Sequence, residues 1–456
     1  MAMMLREGDL DQREKRGGYT ISVVGCGRMG LPHACLLAEA GFKVIGVDVN
    51  PKIVKLVRAG ETPFEEHKLE DLLKKVIGEK LFTATTNIKE AVSKSNIILF
   101  TVPTLIDEKG KPDYSYVEKA CRDTGLNLRQ KSLVIFSSTV GPGVTETIVK
   151  NTLEESSGLK AGKDFGLAYS PIRATPGRVL RDISTYPRVV GAINRESLEA
   201  ASTVLGTIVK GGIVKVRDIK TAEATKLFEN IYRDLSIALA NDLAIFCEKA
   251  GIDFIEVQKA ATTQPYCHLL LPGIVGGHIR KDPYLLLGEA EALGVRLRLP
   301  LIARKINDDM VNHVVRLVRE ALQACGKSLR RAKISILGVS YRPNIKESRG
   351  SRVRALMDKL ERRGAEIVVY DPFFSYKELR SMGYPSERNL NKAVKDSDCI
   401  LITVGHSQFR KLNLKRIKVL MRKPAAVVDC GHVVDPSRVE GEGLIYRGFG
   451  RGVWSI

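Results

Sequence analysis

Residues 21–30 read Ile-Ser-Val-Val-Gly-Cys-Gly-Arg-Met-Gly, an apolar run that turns into Gly-x-Gly-x-x-Gly and then into a helical pattern. An apolar strand, a glycine turn and a helix in that order commit a chain to a βαβ unit and a parallel sheet. Gly25 permits the tight turn, Gly27 lets the backbone approach a pyrophosphate, and Gly30 lets helix and strand pack closely. The helix N-terminus then offers free N–H groups and the positive end of its dipole to phosphate. The next apolar run ends at Asp48, whose carboxylate can accept both hydroxyls of an adenosine ribose and would repel a 2′-phosphate. NAD is therefore the expected cofactor, held by Gly25, Gly27, Arg28, Met29, Gly30 and Asp48.

A chain of 456 residues is too long for one core. Apolar runs at 19–24, 43–48, 97–102 and 133–137 alternate with amphipathic stretches, which implies an α/β domain. From about 221 to 312 the period is helical throughout, and apolar positions across 225–249 predict one long helix. Alternation returns at 332–338, 366–371, 399–404 and 425–429. The expected fold is α/β: two Rossmann-like lobes with parallel sheets, joined by a central helical domain with a long helix. The boundaries are a disordered lead-in over 1–18, a Rossmann domain over 19–205, a helical domain over 206–325 and a C-terminal lobe over 326–456.

No apolar run reaches the length of a membrane span, and the first 18 residues are charged with both signs, so a cytoplasmic location is expected. The net charge of +20 suits polyanions, but Lys and Arg are spread along the chain and aromatics do not interleave with them, which argues against nucleic acid. The eight cysteines show no CxxC pair and the histidines no ligand spacing, so no metal site is expected.

The loop at 272–284 reads Pro-Gly-Ile-Val-Gly-Gly-His-Ile-Arg-Lys-Asp-Pro-Tyr. It resembles the active-site loop of the UDP-glucose/GDP-mannose dehydrogenase family. There a Gly-Gly-(Ser/His) turn precedes a nucleophilic cysteine, and an Asp follows shortly after. Here Ile279 follows His278 directly: the loop is one residue short, and the missing residue is the cysteine. The resemblance continues in Val-Pro-Thr104, in Ser-Thr139-Val, in Glu223-Ala-Thr-Lys226-Leu-Phe-Glu-Asn230-Ile-Tyr-Arg233, and in Gly-Val-Ser-Tyr341-Arg342 with Ser-Arg349. Phrases such as Ile231-Tyr-Arg-Asp place it nearest the UDP-N-acetylmannosamine branch.

The resemblance implies a homodimer around the long helix, a UDP-sugar substrate, and two successive oxidations of a sugar alcohol by NAD. It implies catalytic roles for Lys226 and Asn230, which stabilise an alkoxide, and for Asp282, which positions or deprotonates water. Thr104, Thr139 and Arg349 join the cofactor set; Arg173, Lys226, Asn230, Arg233, Gly276, Tyr341 and Arg342 join the substrate set. His278 suits backbone packing or a substrate hydrogen bond. The second oxidation needs a thiolate, and the family's Ser-Pro-Glu-Arg reads Ser170-Pro171-Ile172-Arg173 here. The expectation is thus a single oxidation that stops at the carbonyl. The alternative is a non-catalytic relative that binds NAD or nucleotide sugar, and a third reading is a dehydrogenase for a small hydroxy acid.

Overall fold

The computed structural model describes residues 8, 10–107 and 110–451, the His278 side chain excepted. They form two compact units, Met1–Asn230 with Lys281–Arg296, and Ile231–Arg280 with Leu297–Ile456.

Ten strands belong to the first unit among the described residues: β1 Thr20–Val24, β2 Lys43–Val47, β3 Phe82–Thr85, β4 Ile97–Phe100, β5 Leu105–Ile106, β6 Pro112–Asp113, β7 Leu133–Phe136, β8 Gly166–Tyr169, β9 Arg188–Ala192 and β10 Ile213–Lys215. Eight of them form one sheet in the order β10-β9-β8-β7-β4-β1-β2-β3, while β5 and β6 pair as a separate antiparallel ribbon. Within the sheet only β8 and β9 run antiparallel. The unbroken apolar runs of β4 and β7 follow from burial on both faces. Alternate residues feed two cores: Ile97, Leu99, Leu133 and Ile135 pack on one face, and Ile98, Phe100, Val134 and Phe136 on the other. Strand order reverses at β1, between β2 and β4, and that reversal opens a crevice at the strands' carboxyl ends.

In the second unit β11 Lys333–Leu337, β12 Glu366–Tyr370, β13 Cys399–Ile402, β14 Ala426–Asp429 and β15 Ile445–Gly448 form an all-parallel sheet, ordered β12-β11-β13-β14-β15. Its opening repeats that of the first. Gly25 after β1 has φ +100° and Gly338 after β11 has φ +102°. Asp48 accepts from the Cys26 N–H at 3.0 Å, and Asp371 from the Val339 N–H at 2.7 Å.

The long helix is present as Ile219–Ala250, 32 residues. Two boundaries differ from expectation. Strand β10 pairs with β9, so the first sheet extends past residue 205 to Lys215. The lead-in is ordered where it is described: Arg13–Arg16 is a helix, Leu10 is 1% exposed, and Arg16 donates to the Leu10 and Ala40 carbonyls. One buried leucine and a bonded arginine outweigh a polar composition there.

Candidate active site

The glycine turn separates three roles by space. A Cβ on Gly30 would lie 1.8 Å from the Gly25 carbonyl oxygen, and one on Gly25 would lie 2.8 Å from that of Thr101. Those two glycines serve packing. Gly27 has nothing within 4 Å of a Cβ, so the backbone there faces open space. A pyrophosphate can approach at that point, beside the N-terminus of helix Gly30–Glu39. Arg28 lies over the Phe64 ring, 5.0 Å from its centroid, and Met29 precedes the helix. Asp48 uses one oxygen on Cys26 N–H and the other on Asn50 N–H, at 2.9 Å; each retains a lone pair for a ribose hydroxyl. The residues present fit NAD.

Further along the crevice, the long helix turns three side chains inward at spacings of three and four. Glu223, wholly buried, accepts from the Gly143 N–H at 2.5 Å and the Thr145 N–H at 2.8 Å. It thereby anchors the turn that follows Thr139. Burial lifts its carboxyl to about 7 even though both hydrogen bonds oppose the rise. One turn on, burial holds the Lys226 ammonium below the ordinary lysine range, partly offset by the charge of Asp282. Its Nζ makes no hydrogen bond among the described residues. Asn230, 7% exposed, donates to Asp282 Oδ2 at 2.5 Å.

Asp282 is 1% exposed, and its Oδ1 has no hydrogen-bond partner among the described residues. The nearest cation is Lys281 Nζ at 3.7 Å, and that group donates to the Thr104 carbonyl at 2.7 Å and hydroxyl at 2.9 Å. Thr104 in turn donates to the Thr139 carbonyl at 2.7 Å. Thr104, Thr139 and Asp282 are therefore joined through Lys281, which the sequence reading passed over. A lysine next to the expected acid was the available signal. The segment carrying Asp282 is held by close packing: a Cβ on Gly110 would lie 2.7 Å from the Tyr284 ring, and one on Gly141 would lie 2.6 Å from Glu289 Cγ.

Two more buried groups border this cluster. Tyr169 is fully buried, its hydroxyl has no partner among the described residues, and Glu223 and Asp282 are among its charged neighbours. Arg188, 3% exposed, donates to Ser170 Oγ at 2.7 Å and to the Ser170 carbonyl at 3.1 Å, with no carboxylate bonded to it among the described residues. Arg173 is paired within the first unit. Its fork grips Glu229 at 2.8 and 3.2 Å and the Pro187 carbonyl at 3.0 Å, which ties its loop to the long helix. Ile172 packs into the apolar core.

In the second unit, a Cβ on Gly276 would lie 2.4 Å from the Gly350 oxygen, and one on Gly277 would lie 3.4 Å from the Tyr341 ring. The structure thus sets Tyr341 beside Gly277, the residue after Gly276. Arg342 is half-buried. Arg349 is exposed and holds Glu347 through Nε and Nη2, the latter at 2.9 Å. Arg233 lies exposed on the long helix. The role expected of His278 falls on a side chain outside the described residues.

The chain matches three domains of one family in their family order: the NAD binding domain over residues 19–209, the central domain over 220–309 and the UDP binding domain over 335–436. It belongs to the UDP-glucose/GDP-mannose dehydrogenase family. Family members are nucleotide-sugar dehydrogenases, and the first unit carries this family's NAD site. The UDP-N-acetyl-D-mannosamine dehydrogenase of Pyrococcus horikoshii is 32% identical over 434 residues, 95% of this chain and 99% of that protein. The UDP-N-acetyl-D-glucosamine 6-dehydrogenase of Pseudomonas aeruginosa is 32% identical over 427 residues, 92% and 98% of the two chains. The solved Pyrococcus horikoshii enzyme superposes with a TM-score of 0.87 over 95% of this chain and 99% of its own, at 31% identity. A UDP-glucose dehydrogenase from Pyrobaculum islandicum gives 0.84 over 95% and 98%, at 26% identity.

Proposed function

We propose that this dehydrogenase oxidises the sugar alcohol of a UDP-linked N-acetylhexosamine or hexose once, and releases the carbonyl compound. The observation that carries the reading is the Lys226–Asn230–Asp282 cluster, with a buried carboxylate oxygen left unbonded and only buried thiols in its unit among the described residues. A bound NAD would supply the hydride acceptor for the carbinol carbon. Asp282 Oδ1 takes the hydroxyl proton, directly or through one water. Lys226 Nζ and the second amide hydrogen of Asn230 face the charge that develops on the substrate oxygen, in a water-poor site where such donors act strongly. The carbon loses a hydride and the oxygen a proton, so the product is the aldehyde or ketone; Asp282 then releases that proton to solvent and returns to its starting state.

A second oxidation requires a thiolate to add to the aldehyde. Cys26, Cys35 and Cys121 of the first unit are all buried, and burial raises each thiol, Cys35 to about 12. Such thiols are inert. Ile172 adds no proton carrier. In the second unit Tyr341, Arg342, Gly276 and the region matching the UDP binding domain are the candidates for the nucleotide, while Arg349 is a candidate for the cofactor.

A homodimer is supported by the long helix, which exposes Phe228, Tyr232, Leu239, Leu243 and Phe246 at near-helical spacing. A stripe of that size suits a second copy of the helix. Eight free cysteines, seven of them buried, fit a reducing cytoplasm. The test is NADH formation with UDP-N-acetylmannosamine, UDP-N-acetylglucosamine and UDP-glucose, with mass analysis of the product. One NADH per sugar and a loss of two mass units is expected. Two NADH and a uronic acid would refute the single oxidation.

A further inference from the structure

Three arginines of the second unit converge where the glycine loop meets the segment after Tyr341. The two stretches lie backbone against backbone: Gly277 N–H donates to the Gly350 carbonyl at 3.0 Å, and a Cβ on Gly350 would sit 2.7 Å from Gly277 Cα. Arg280 stands one turn beyond Gly277, and Arg352 two residues beyond Gly350. Arg280 Nε donates to Asp308 Oδ1 at 2.9 Å. Asp308 is one helical turn from Arg304 on helix Arg298–Ala324.

Arg304 is the unusual member. It is 2% exposed, and its Nε donates to Asp234 Oδ2 at 2.7 Å. Asp234 is also bonded by Asn307 Nδ2 at 2.8 Å. Both terminal nitrogens of Arg304 are buried without a hydrogen-bond partner among the described residues. A guanidinium stays protonated, so four N–H donors of a buried cation are left unmade, which is costly. Arg352 is half-buried, makes no ion pair among the described residues, and has Arg280, Arg304 and Asp308 as its charged neighbours. Three arginines thus face two aspartates, Asp234 and Asp308, and the surplus positive charge sits beside unsatisfied donors.

We propose that Arg280, Arg304 and Arg352 form a binding site for an oxyanion of the phosphate class beside the Gly276–Gly277 turn. Guanidinium forks match phosphate oxygens in planar, bidentate fashion, and an anion there answers both the charge surplus and the unmade donors. The anion comes either from the diphosphate of a nucleotide or from free phosphate. The site does not depend on the oxidation chemistry, since all its residues lie outside the Lys226–Asn230–Asp282 cluster.

Calorimetric titration of inorganic phosphate into the full-length protein, without NAD or sugar nucleotide, tests it. Arg304→Gln endangers folding because it strips Asp234, so Arg352→Gln and Arg280→Gln are the variants of choice. Arg362→Gln, at an exposed position of the same unit, removes the same charge elsewhere. Saturable binding to the wild type is expected, weakened roughly ten- to a hundredfold in Arg352→Gln and Arg280→Gln, and unchanged in Arg362→Gln. Competition by UDP assigns the site to a nucleotide diphosphate; additive binding assigns it to a free anion. Absence of phosphate binding by the wild type, or equal weakening in all three variants, overturns the site.

Discussion

Asn230 and Asp282, 52 positions apart in sequence, meet side chain to side chain at 2.5 Å. The amide occupies one carboxylate oxygen and leaves the other buried and unbonded. Such an arrangement keeps a proton acceptor oriented while one lone-pair face stays open. Asp282→Asn keeps the size and removes the acceptor. Its kcat is expected to fall about 10²- to 10⁴-fold with KM little changed. Retention of more than a third of the wild-type rate would exclude Asp282 as the base.

Lys226 carries its charge against burial. Lys226→Met should lose about 10²- to 10³-fold in kcat. Its unfolding midpoint should hold or rise, because a poorly solvated ammonium has gone. The charged form is lost as pH rises through a pKa below the ordinary lysine range, so the wild-type rate should decline on that alkaline side. Lys226→Arg should move the decline to higher pH. A rate independent of pH there would mean that the lysine charge plays no part.

The glycine turn permits a sharper comparison. Gly27→Ala adds a methyl to open space, so the unfolding midpoint should stay put while NAD binding weakens. Gly30→Ala forces a methyl into the Gly25 carbonyl and should destabilise the fold by about 1–3 kcal/mol. Equilibrium unfolding and NAD titration on both variants decide the matter. Equal loss of stability in the two would show that Gly27 also serves packing.

Glu223 links stability to pH. Folding raises its pKa from 4.5 to about 7. The folded state therefore binds more protons than the unfolded one between those values. The contribution of this group is fully present below about 4.5 and is lost as pH rises through about 7, a change on the order of 3 kcal/mol. Glu223→Gln should flatten that dependence. Parallel stability curves for variant and wild type between pH 4.5 and 7 would remove Glu223 as the source.

Much of this was legible in the sequence, for a physical reason. Strands buried on both faces, such as Ile97–Phe100 and Leu133–Phe136, must be unbroken apolar runs, and the long helix must repeat its apolar positions. Lys226, Asn230 and Asp282 were named from motif residues and do cluster. Strands β3, β8, β9, β10 and β15 went unread because runs like Phe-Thr-Ala-Thr or Ile-Val-Lys become strands only through their neighbours in the sheet. Lys281 and Arg304 escaped for a related reason. A lysine bonded to Thr104 and an arginine bonded to Asp234 look in sequence like any other surface cation. Arg173, expected to meet substrate, also holds Glu229, a pairing that a separation of 56 positions conceals.

The spacing of Glu223, Lys226 and Asn230 has an evolutionary corollary. An α-helix turns about 100° per residue, so inserting or deleting one residue between them would swing part of the set out of the crevice. The whole set spans eight residues, seven steps and close to two helical turns. A change in length is therefore tolerated better in the loops than in this stretch. The register of one helix thus decides which side chains meet the crevice, whatever the length of the segments around it.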